Sequence, residues 1–422
     1  MASENKLNTS EFELLEDTGQ GTVFAIKKDD PGVKYIAQPY GVLDASDVED
    51  TNKQKTADEA LAFYNLMYNF KVRSAVAQIF NHENIISIAS YIRTHPVVKG
   101  SERAHLEEYI VWDYCNASNL SALFQSKPYE STKFYLPESL CWHVLTSLLS
   151  AITYLHDGKR LFLDTQAPAG EEKRMWESVD QDWCPILHRA IEPRNIFFQH
   201  PRGIETYGLC KLGNFEHAAV TNHVITPDGE DVMEKDVEIS RAMAPYRGLE
   251  TLDITRHQLL ESAETYTVDN RPYTVADELS SIGSVIFTMM TGRKPVMYCE
   301  KYSCCHITST SQDCEQTSHD QQKTRQFHLH QRPRHPSCHK PTINTDSYLA
   351  KVQYSENLRN MVQFLLDFHP GSETRMDRVL PTTMLVMQHY QHWKLHSDEG
   401  KLYKDIEDDM TARCLAKMGM EN

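Results

Sequence analysis

Residues able to do chemistry concentrate in two places. The stretch Leu187-His188-Arg189-Ala190-Ile191-Glu192-Pro193-Arg194-Asn195-Ile196-Phe197-Phe198 sets histidine, arginine, glutamate and asparagine side chains between apolar ends, and Lys211-Leu212-Gly213-Asn214-Phe215-Glu216 follows it. Ala190 cannot accept a proton, and the neutral amide of Asn214 offers a weak carbonyl oxygen where magnesium favours a carboxylate. The second place is a segment holding Cys299, Cys304, Cys305, His306, Cys338 and His339, thiols and imidazoles of the kind that bind zinc. It contains no C-x-x-C pair, the spacing that structural zinc sites usually show. A polar insertion with solvated histidines is therefore the first reading of that segment, and zinc the competing one.

Positioning these residues requires a framework, and the chain carries signals for one. From Phe12 to Tyr40, short apolar stretches broken by Gly19, Gly21, Pro31-Gly32 and Pro39 predict twisted antiparallel strands. Residues 41–57 are polar and read as a loop, and Leu61, Tyr64, Met67 and Tyr68 lie at helical spacing within a helix expected from Asp58 to about Asn81. Ile85–Arg93 and Tyr109–Tyr114 read as strands. The apolar run from Leu140 to His156 predicts a buried helix, and further apolar helices are expected at Gly283–Thr291, Leu358–Phe368 and Leu380–Trp393. Segments 160–182 and 298–345 look inserted and belong on the surface. Beyond Ser397, Asp405, Glu407, Asp408 and Asp409 read as a solvated helix face.

Composition narrows the function classes. With 43 basic against 59 acidic residues in a chain of 422, the formal charge of −16 argues against a general affinity for nucleic acid or anionic lipid. The start lacks the basic-then-apolar pattern of a secretory signal, and no apolar run approaches the ~18 residues of a membrane span. An intracellular protein, cytoplasmic or nuclear, is expected, with no nucleic-acid or membrane partner. Its ten cysteines are scattered except for the group between Cys299 and Cys338, so most should be reduced thiols.

Taken in order, these motifs resemble those of the protein kinases. Residues 187–198 resemble the catalytic loop H-R-D-x-x-x-x-N, with His188, Arg189 and Asn195 in register, Ala190 at the catalytic aspartate and Glu192 where a lysine usually follows. Asn214-Phe215-Glu216 resembles the magnesium motif D-F-G. Tyr246-Arg247-Gly248-Leu249-Glu250 resembles Y-R-A-P-E, whose glutamate the family pairs with an arginine at the position of Arg375, and Glu278–Gly283 resembles the D-x-W-S-x-G start of a central helix. Near the N-terminus, Glu16–Phe24 resembles G-x-G-x-x-G-x-V with Gly21 as third glycine and Val23 as the valine. A rival alignment makes Gly19 and Gly21 the first two glycines and puts Phe24 at the third; either way the phosphate cradle is incomplete. The strand motif V-A-I-K matches Tyr35-Ile36-Ala37-Gln38, so an uncharged Gln38 stands for the lysine. Phe24-Ala25-Ile26-Lys27 is a rival match that leaves no room for a second strand. Arg73 occupies the place of the partner glutamate, and Trp112 the position guarding the back of the nucleotide pocket.

The resemblance implies an α+β, two-lobed protein-kinase-like fold with a small β-rich N-lobe and a larger α-helical C-lobe. The domain spans 1–395 (N-lobe about 10–115, C-lobe about 116–395), with an acidic tail at 396–422. The lost charges at Gln38, Arg73, Ala190, Glu192 and Asn214 imply a pseudokinase, a catalytically inactive scaffold acting through protein partners. If a nucleotide binds at all, the resemblance assigns it to Gly19, Gly21, Val23, Lys27, Trp112, Asn195 and Asn214. His188, Arg189, Glu250, Gly283 and Arg375 are expected to hold structure. This reading needs no cofactor, weighs against ATP and magnesium, and leaves zinc open at Cys299, Cys304, Cys305, His306, Cys338 and His339. The alternatives are a weak or atypical ATP-dependent serine/threonine kinase in which Lys27, Glu192 or Glu216 substitutes, and a metal-dependent binding module centred on the Cys/His-rich insert.

Overall fold

The computed structural model describes residues 11–18, 22–43, 82–94, 106–124, 135–163, 174–181, 183, 185–220, 224–225, 231–232, 237–238, 273–295, 297–299, 304–305, 342–343, 345–368 and 378–417. The helix expected over Asp58–Asn81 lies outside the described residues, as do Gly19, Gly21, Arg73, Glu250, Arg375, His306, Cys338 and His339.

Strands β1 (Phe12–Asp17), β2 (Val23–Lys27), β3 (Asp30–Leu43), β4 (Ile88–Thr94) and β5 (Leu106–Asp113) form an antiparallel sheet of order β1-β2-β3-β5-β4. The strands foreseen between Phe12 and Tyr40 are therefore present, but β3 runs three residues into the stretch read as loop, because Gly41, Val42 and Leu43 pair with Glu108, Glu107 and Leu106. Alternation along β3 and β5 buries both faces. Ile36, Ile110 and Trp112 join the main core, whereas Ala37, Tyr109 and Val111 pack with Phe12, Ala25 and Ile92 in a smaller cluster on the other face.

Helix α1 (Glu138–Asp157) is buried along most of its surface, as its apolar run predicts. After it come a hairpin of β6 (Lys159–Leu163) and β7 (Arg174–Ser178), then β8 (Ile186–Leu187), β9 (Ile196–Phe198), β10 (Cys210–Leu212) and β11 (Ala219–Val220). Short pairs β12 (Val224–Ile225) with β13 (Asp231–Val232), and β14 (Val237–Glu238) with β11, follow. Helix α2 (Val275–Thr291) opens on a capping box in which Thr274 N–H donates to Asp277 Oδ2 at 2.7 Å. It crosses a later helix, α4 (Glu356–Leu366), at Gly283, where a Cβ would sit 3.0 Å from Leu365 Cβ and 3.1 Å from Leu366 N. Between these helices stand a small sheet of β15 (Met297–Cys299), β16 (Cys304–Cys305) and β17 (Thr342–Ile343), and the single turn α3 (Asp346–Leu349). The chain closes with α5 (Leu380–His396), α6 (Asp398–Leu402) and α7 (Ile406–Lys417). No helix among the described residues is long and apolar enough to cross a membrane. The mixed α/β architecture, with its small antiparallel sheet and its helices, is compatible with a kinase-like fold.

Within the segment 160–182, strands β6 and β7 pair with Leu161 opposite Trp176 and Phe162 opposite Met175, and Phe162, Met175 and Val179 are exposed at the surface. One expectation needs correction: the acidic residues of the tail are not a solvated face. Asp405 accepts from Tyr390 Oη at 2.5 Å and from Lys394 Nζ at 2.7 Å, and the same ammonium lies 2.8 Å from Asp408. Asp409, only 3% exposed, accepts from Ile204 N–H at 3.0 Å and pairs with Arg413, while Arg174 Nε of β7 donates to Glu407 at 2.9 Å. Burial alone would raise the Asp405 carboxyl, but the Lys394 ammonium outweighs it and holds the group down near 2. These carboxylates thus meet cations and amide N–H groups contributed by α5, β7 and the loop joining β9 to β10.

Candidate functional site

The hairpin of β9 and β10 brings the two chemistry-bearing segments together. Cys210 pairs with Phe198, Lys211 with Phe197 and Leu212 with Ile196, so Asn195 just before β9 and Asn214 just after β10 emerge at the same end. Gly213 N–H donates to Asn195 C=O at 2.9 Å, and a Cβ on Gly213 would lie 2.4 Å from Ile86 Cδ1, so a side chain there would have to displace the Ile86 methyl. The stretch before β4 is stitched to the same hairpin: Ile86 N–H donates to Leu212 C=O at 2.9 Å and Leu212 N–H to Asn84 C=O at 2.8 Å.

At this end the side chains satisfy one another. Asn214 Nδ2 donates to Asn195 Oδ1 at 3.0 Å, and Asn195 Nδ2 donates to Ala190 C=O at 2.9 Å and to Glu192 Oε1 at 3.2 Å. Glu192, 1% exposed, also accepts from Arg194 Nε, so its carboxylate is occupied inside the loop. Ala190 is buried as a methyl group. Asn214 holds a left-handed backbone, φ 60°, and its Oδ1 is buried with no hydrogen-bond partner among the described residues.

His188 and Arg189 build the floor. His188 Nε2 must donate to Gly213 C=O at 3.0 Å, which leaves Nδ1 to accept from Ala190 N–H at 3.3 Å and fixes the neutral tautomer. Its ring meets Phe215 edge-on with centroids 4.7 Å apart. Burial pushes the imidazole down to about 4. Arg189 takes φ 63°, an uncommon conformation for a non-glycine residue, and its N–H donates to Glu278 Oε1 at 2.8 Å. Glu278, fully buried in the first turns of α2, is raised to about 7 by burial, partly offset by the backbone N–H groups of Arg189 and His188.

One face of the five-stranded sheet belongs to the same hydrophobic core as Ile196, Leu212 and Phe215. Trp112 stands opposite Ile36 across β5 and β3, and Gln38 opposite Ile110. Trp112 is wholly buried, and neither its Nε1 nor Gln38 Oε1 has a hydrogen-bond partner among the described residues. Register separates Val23 from this group. Val23 pairs with Ala37 and packs against the smaller cluster, whereas Phe24 pairs with Ile36, packs against the main core and meets the Tyr114 ring edge-on at 5.1 Å. Lys27, at the other end of β2, lies 3.7 Å from Asp29 in the β2–β3 turn. The structure thus brings together His188, Arg189, Ala190, Glu192, Asn195 and Asn214, places Gln38 and Trp112 on the face of the sheet that carries Ile36 and Ile110, and sets Val23 and Lys27 elsewhere.

Lys211 was not singled out by its sequence context. It is 5% exposed, and its ammonium donates to Ile85 C=O at 3.2 Å and to Asp113 Oδ2 at 3.0 Å, where Asp113 also accepts from Ser87 N–H at 3.2 Å. This ion pair fastens β10 to the end of β5. A lone lysine inside the buried strand Cys210-Lys211-Leu212 was the available signal, since a cation there needs a partner.

At the insert, β16 pairs in register with β15, Cys304 with Cys299 and Cys305 with Tyr298. Among the described residues no group of three or more histidine, cysteine, aspartate or glutamate side chains is arranged to hold a metal ion.

No protein-family model matches the chain. Similarity to curated proteins is distant and partial. A protein named probable serine/threonine-protein kinase nek2 of Dictyostelium discoideum is 28% identical over 159 residues, 36% of this chain and 30% of that protein. The serine/threonine-protein kinase Nek1 of Toxoplasma gondii is 23% identical over 240 residues, 56% of this chain and 12% of its own length. A putative ribosomal protein S6 kinase alpha-2 of Caenorhabditis elegans is 26% identical over 164 residues, 37% of this chain and 15% of that one. The chain spans less than a third of the length of each of these relatives. Together these similarities support a kinase-like protein.

Proposed function

We propose that the protein is a pseudokinase, a kinase-like module that acts by binding other proteins and does not transfer phosphate. The observation that carries the reading is the hydrogen bond from Asn214 Nδ2 to Asn195 Oδ1. In a kinase the two residues at these places present oxygens to magnesium. Here both are neutral amides, and one donates a proton to the oxygen of the other. Such a pair fits magnesium poorly, because that ion favours carboxylate oxygens and surrenders its water reluctantly. Ala190 adds that no base stands at the aspartate position. Two of the groups that could substitute are engaged elsewhere, Lys27 near Asp29 and Glu192 with Arg194 and Asn195. Meanwhile the contacts that hold the loop itself, His188 to Gly213 and Arg189 to Glu278, are intact. Preserved framework beside absent chemistry is what an interaction module requires, since a fold can be retained without its reaction. Thermal unfolding with millimolar ATP and magnesium tests the nucleotide half of the reading. The expected result is no rise in Tm, and a saturable rise contradicts it.

One observation favours a second reading, a weak ATP-dependent serine/threonine kinase. Asn214 Oδ1 is buried without a partner among the described residues, and a bound cation would satisfy it. Phosphate transfer that vanishes in Asn195→Ala separates this reading from the first.

A further inference from the structure

Helix α1 is buried along most of its surface, yet it carries His143, Thr146, Ser147 and Ser150. These positions follow an i, i+3, i+4, i+7 pattern and therefore share one face. A polar stripe on a helix normally meets bulk water. This one lines a cavity of about 120 Å³, walled also by β6, β7, the loop joining β9 to β10 and the chain from Tyr403 to Glu407. The volume is comparable with the ~150 Å³ that admits a benzene ring. Ser150 is only 8% exposed and its side chain makes no hydrogen bond among the described residues, so a buried hydroxyl lines the cavity without a partner. His143 is different: its Nε2 donates to Gly208 C=O at 2.9 Å and its Nδ1 accepts from Tyr403 Oη at 2.8 Å, so it stays neutral.

The charge of the wall selects the occupant. Its carboxylates are Glu83, Glu205, Asp405 and Glu407, set against the single guanidinium of Arg174. Three of them have cations: Arg160 lies 2.9 Å from Glu83, Lys394 2.7 Å from Asp405, and Arg174 Nε 2.9 Å from Glu407. Glu205 accepts from Arg202 N–H at 3.3 Å and makes no ion pair among the described residues. Burial raises its carboxyl above the ordinary value, as expected of a partly desolvated charge without a counter-ion. The rings of Tyr207 and Tyr403, with centroids 6.0 Å apart, belong to the same wall, and aromatic rings attract cations. We propose that this cavity binds an organic cation, an ammonium or guanidinium group on a short alkyl stem, with Glu205 as counter-ion and Ser150 as hydrogen-bond acceptor. None of His188, Ala190, Asn195 and Asn214 lines the cavity, so the site is independent of the kinase-like one. The same cation is available from a free amine or from a lysine or arginine side chain of another protein.

Calorimetric titration of the full chain tests this. Butylammonium and butylguanidinium serve as small cations, butanol and butyrate as their neutral and anionic counterparts, and short peptides carrying one lysine or one arginine as the protein source. The expected result is saturable binding of at least one small cation at about millimolar concentration, with neither butanol nor butyrate bound. Glu205→Gln and Ser150→Ala should each weaken that binding by about tenfold or more, the loss of one hydrogen bond to a charged group. Glu205 lies in the loop between β9 and β10, outside the core, so its variant decides the matter even where Ser150→Ala fails to fold. A peptide that binds more tightly than both small cations assigns the site to a protein partner, and one that binds no better assigns it to a free amine. No saturable binding of either cation, which leaves the cavity to water, overturns the proposal. Equal binding of butanol or butyrate, or an affinity unchanged in Glu205→Gln, overturns it as well.

Discussion

Replacing the buried carboxyl of Glu278 by an amide should change how stability depends on pH, and the size of the change follows from its surroundings. Glu278 Oε1 accepts from Arg189 N–H at 2.8 Å, and Oε2 is buried with no hydrogen-bond partner among the described residues. Burial raises the group from an ordinary 4.5 to about 7. A folded-state pKa above the unfolded value means that the stability contribution is complete below pH 4.5 and is lost as pH rises towards 7. Integrating between about pH 5 and about pH 8 gives a loss on the order of 2–3 kcal/mol in the wild type. Glu278→Gln keeps an oxygen for Arg189 but cannot ionise, so that loss should vanish. The new amide N–H₂ takes the place of the unpartnered oxygen and costs on the order of 1–3 kcal/mol at every pH. The variant is therefore expected to be less stable near pH 5 and to match or exceed the wild type near pH 8. Urea unfolding of both proteins at the two pH values reads the difference between the curves, in which the constant amide cost cancels. Parallel stability curves would refute the reasoning, because they would mean that Glu278 is not desolvated or that its charge is compensated.

Other consequences are equally open to measurement. His82, His143 and His188 are each pushed down to about 4 by burial, so their stabilising contribution is present above pH 6.5 and is lost as pH falls towards 4; His188→Gln should flatten that acid limb in a pH series of urea midpoints. Gly283→Ala should destabilise by about 1–3 kcal/mol, since its methyl meets the backbone and Cβ of α4, and an unchanged Tm would show that the helices can separate freely. Asp405→Ala leaves the Lys394 ammonium with Asp408 alone and removes the Tyr390 contact, and a loss of about 3–5 kcal/mol in chemical unfolding is expected, whereas a change below about 1 kcal/mol would return the tail to a solvated role.

The parts of this architecture that were legible in the sequence are those written in local pattern. Apolar periodicity located α1, α2, α4 and α5, and alternation with glycine and proline breaks located β1 to β3. The meeting of Asn195 and Asn214 was legible through motif order, because a short hairpin returns the chain to the same end. What escaped depends on partners distant in sequence. The 160–182 segment was legible as an insertion at the surface, but the pairing of Leu161 with Trp176 and of Phe162 with Met175 within it was not. Asp405 and Asp409 looked solvated because charge runs usually are, and only the fold brings Lys394, Tyr390 and the Ile204 amide to them. Lys211 needed Asp113, nearly a hundred residues earlier, to explain a cation inside a strand. Val23 and Phe24 differ by one residue, and a one-residue change of register exchanges the two faces of a sheet, so motif counting could not decide which of them faces Ile36.

The central claim is that this kinase-like site does not transfer phosphate, and labelled ATP tests it most directly. The full chain is incubated with magnesium and γ-labelled ATP, alone and with a general protein substrate, beside its Asn195→Ala variant. The account predicts incorporation no greater in the wild type than in the variant, with manganese in place of magnesium giving the same result. Wild-type incorporation that Asn195→Ala abolishes would contradict it.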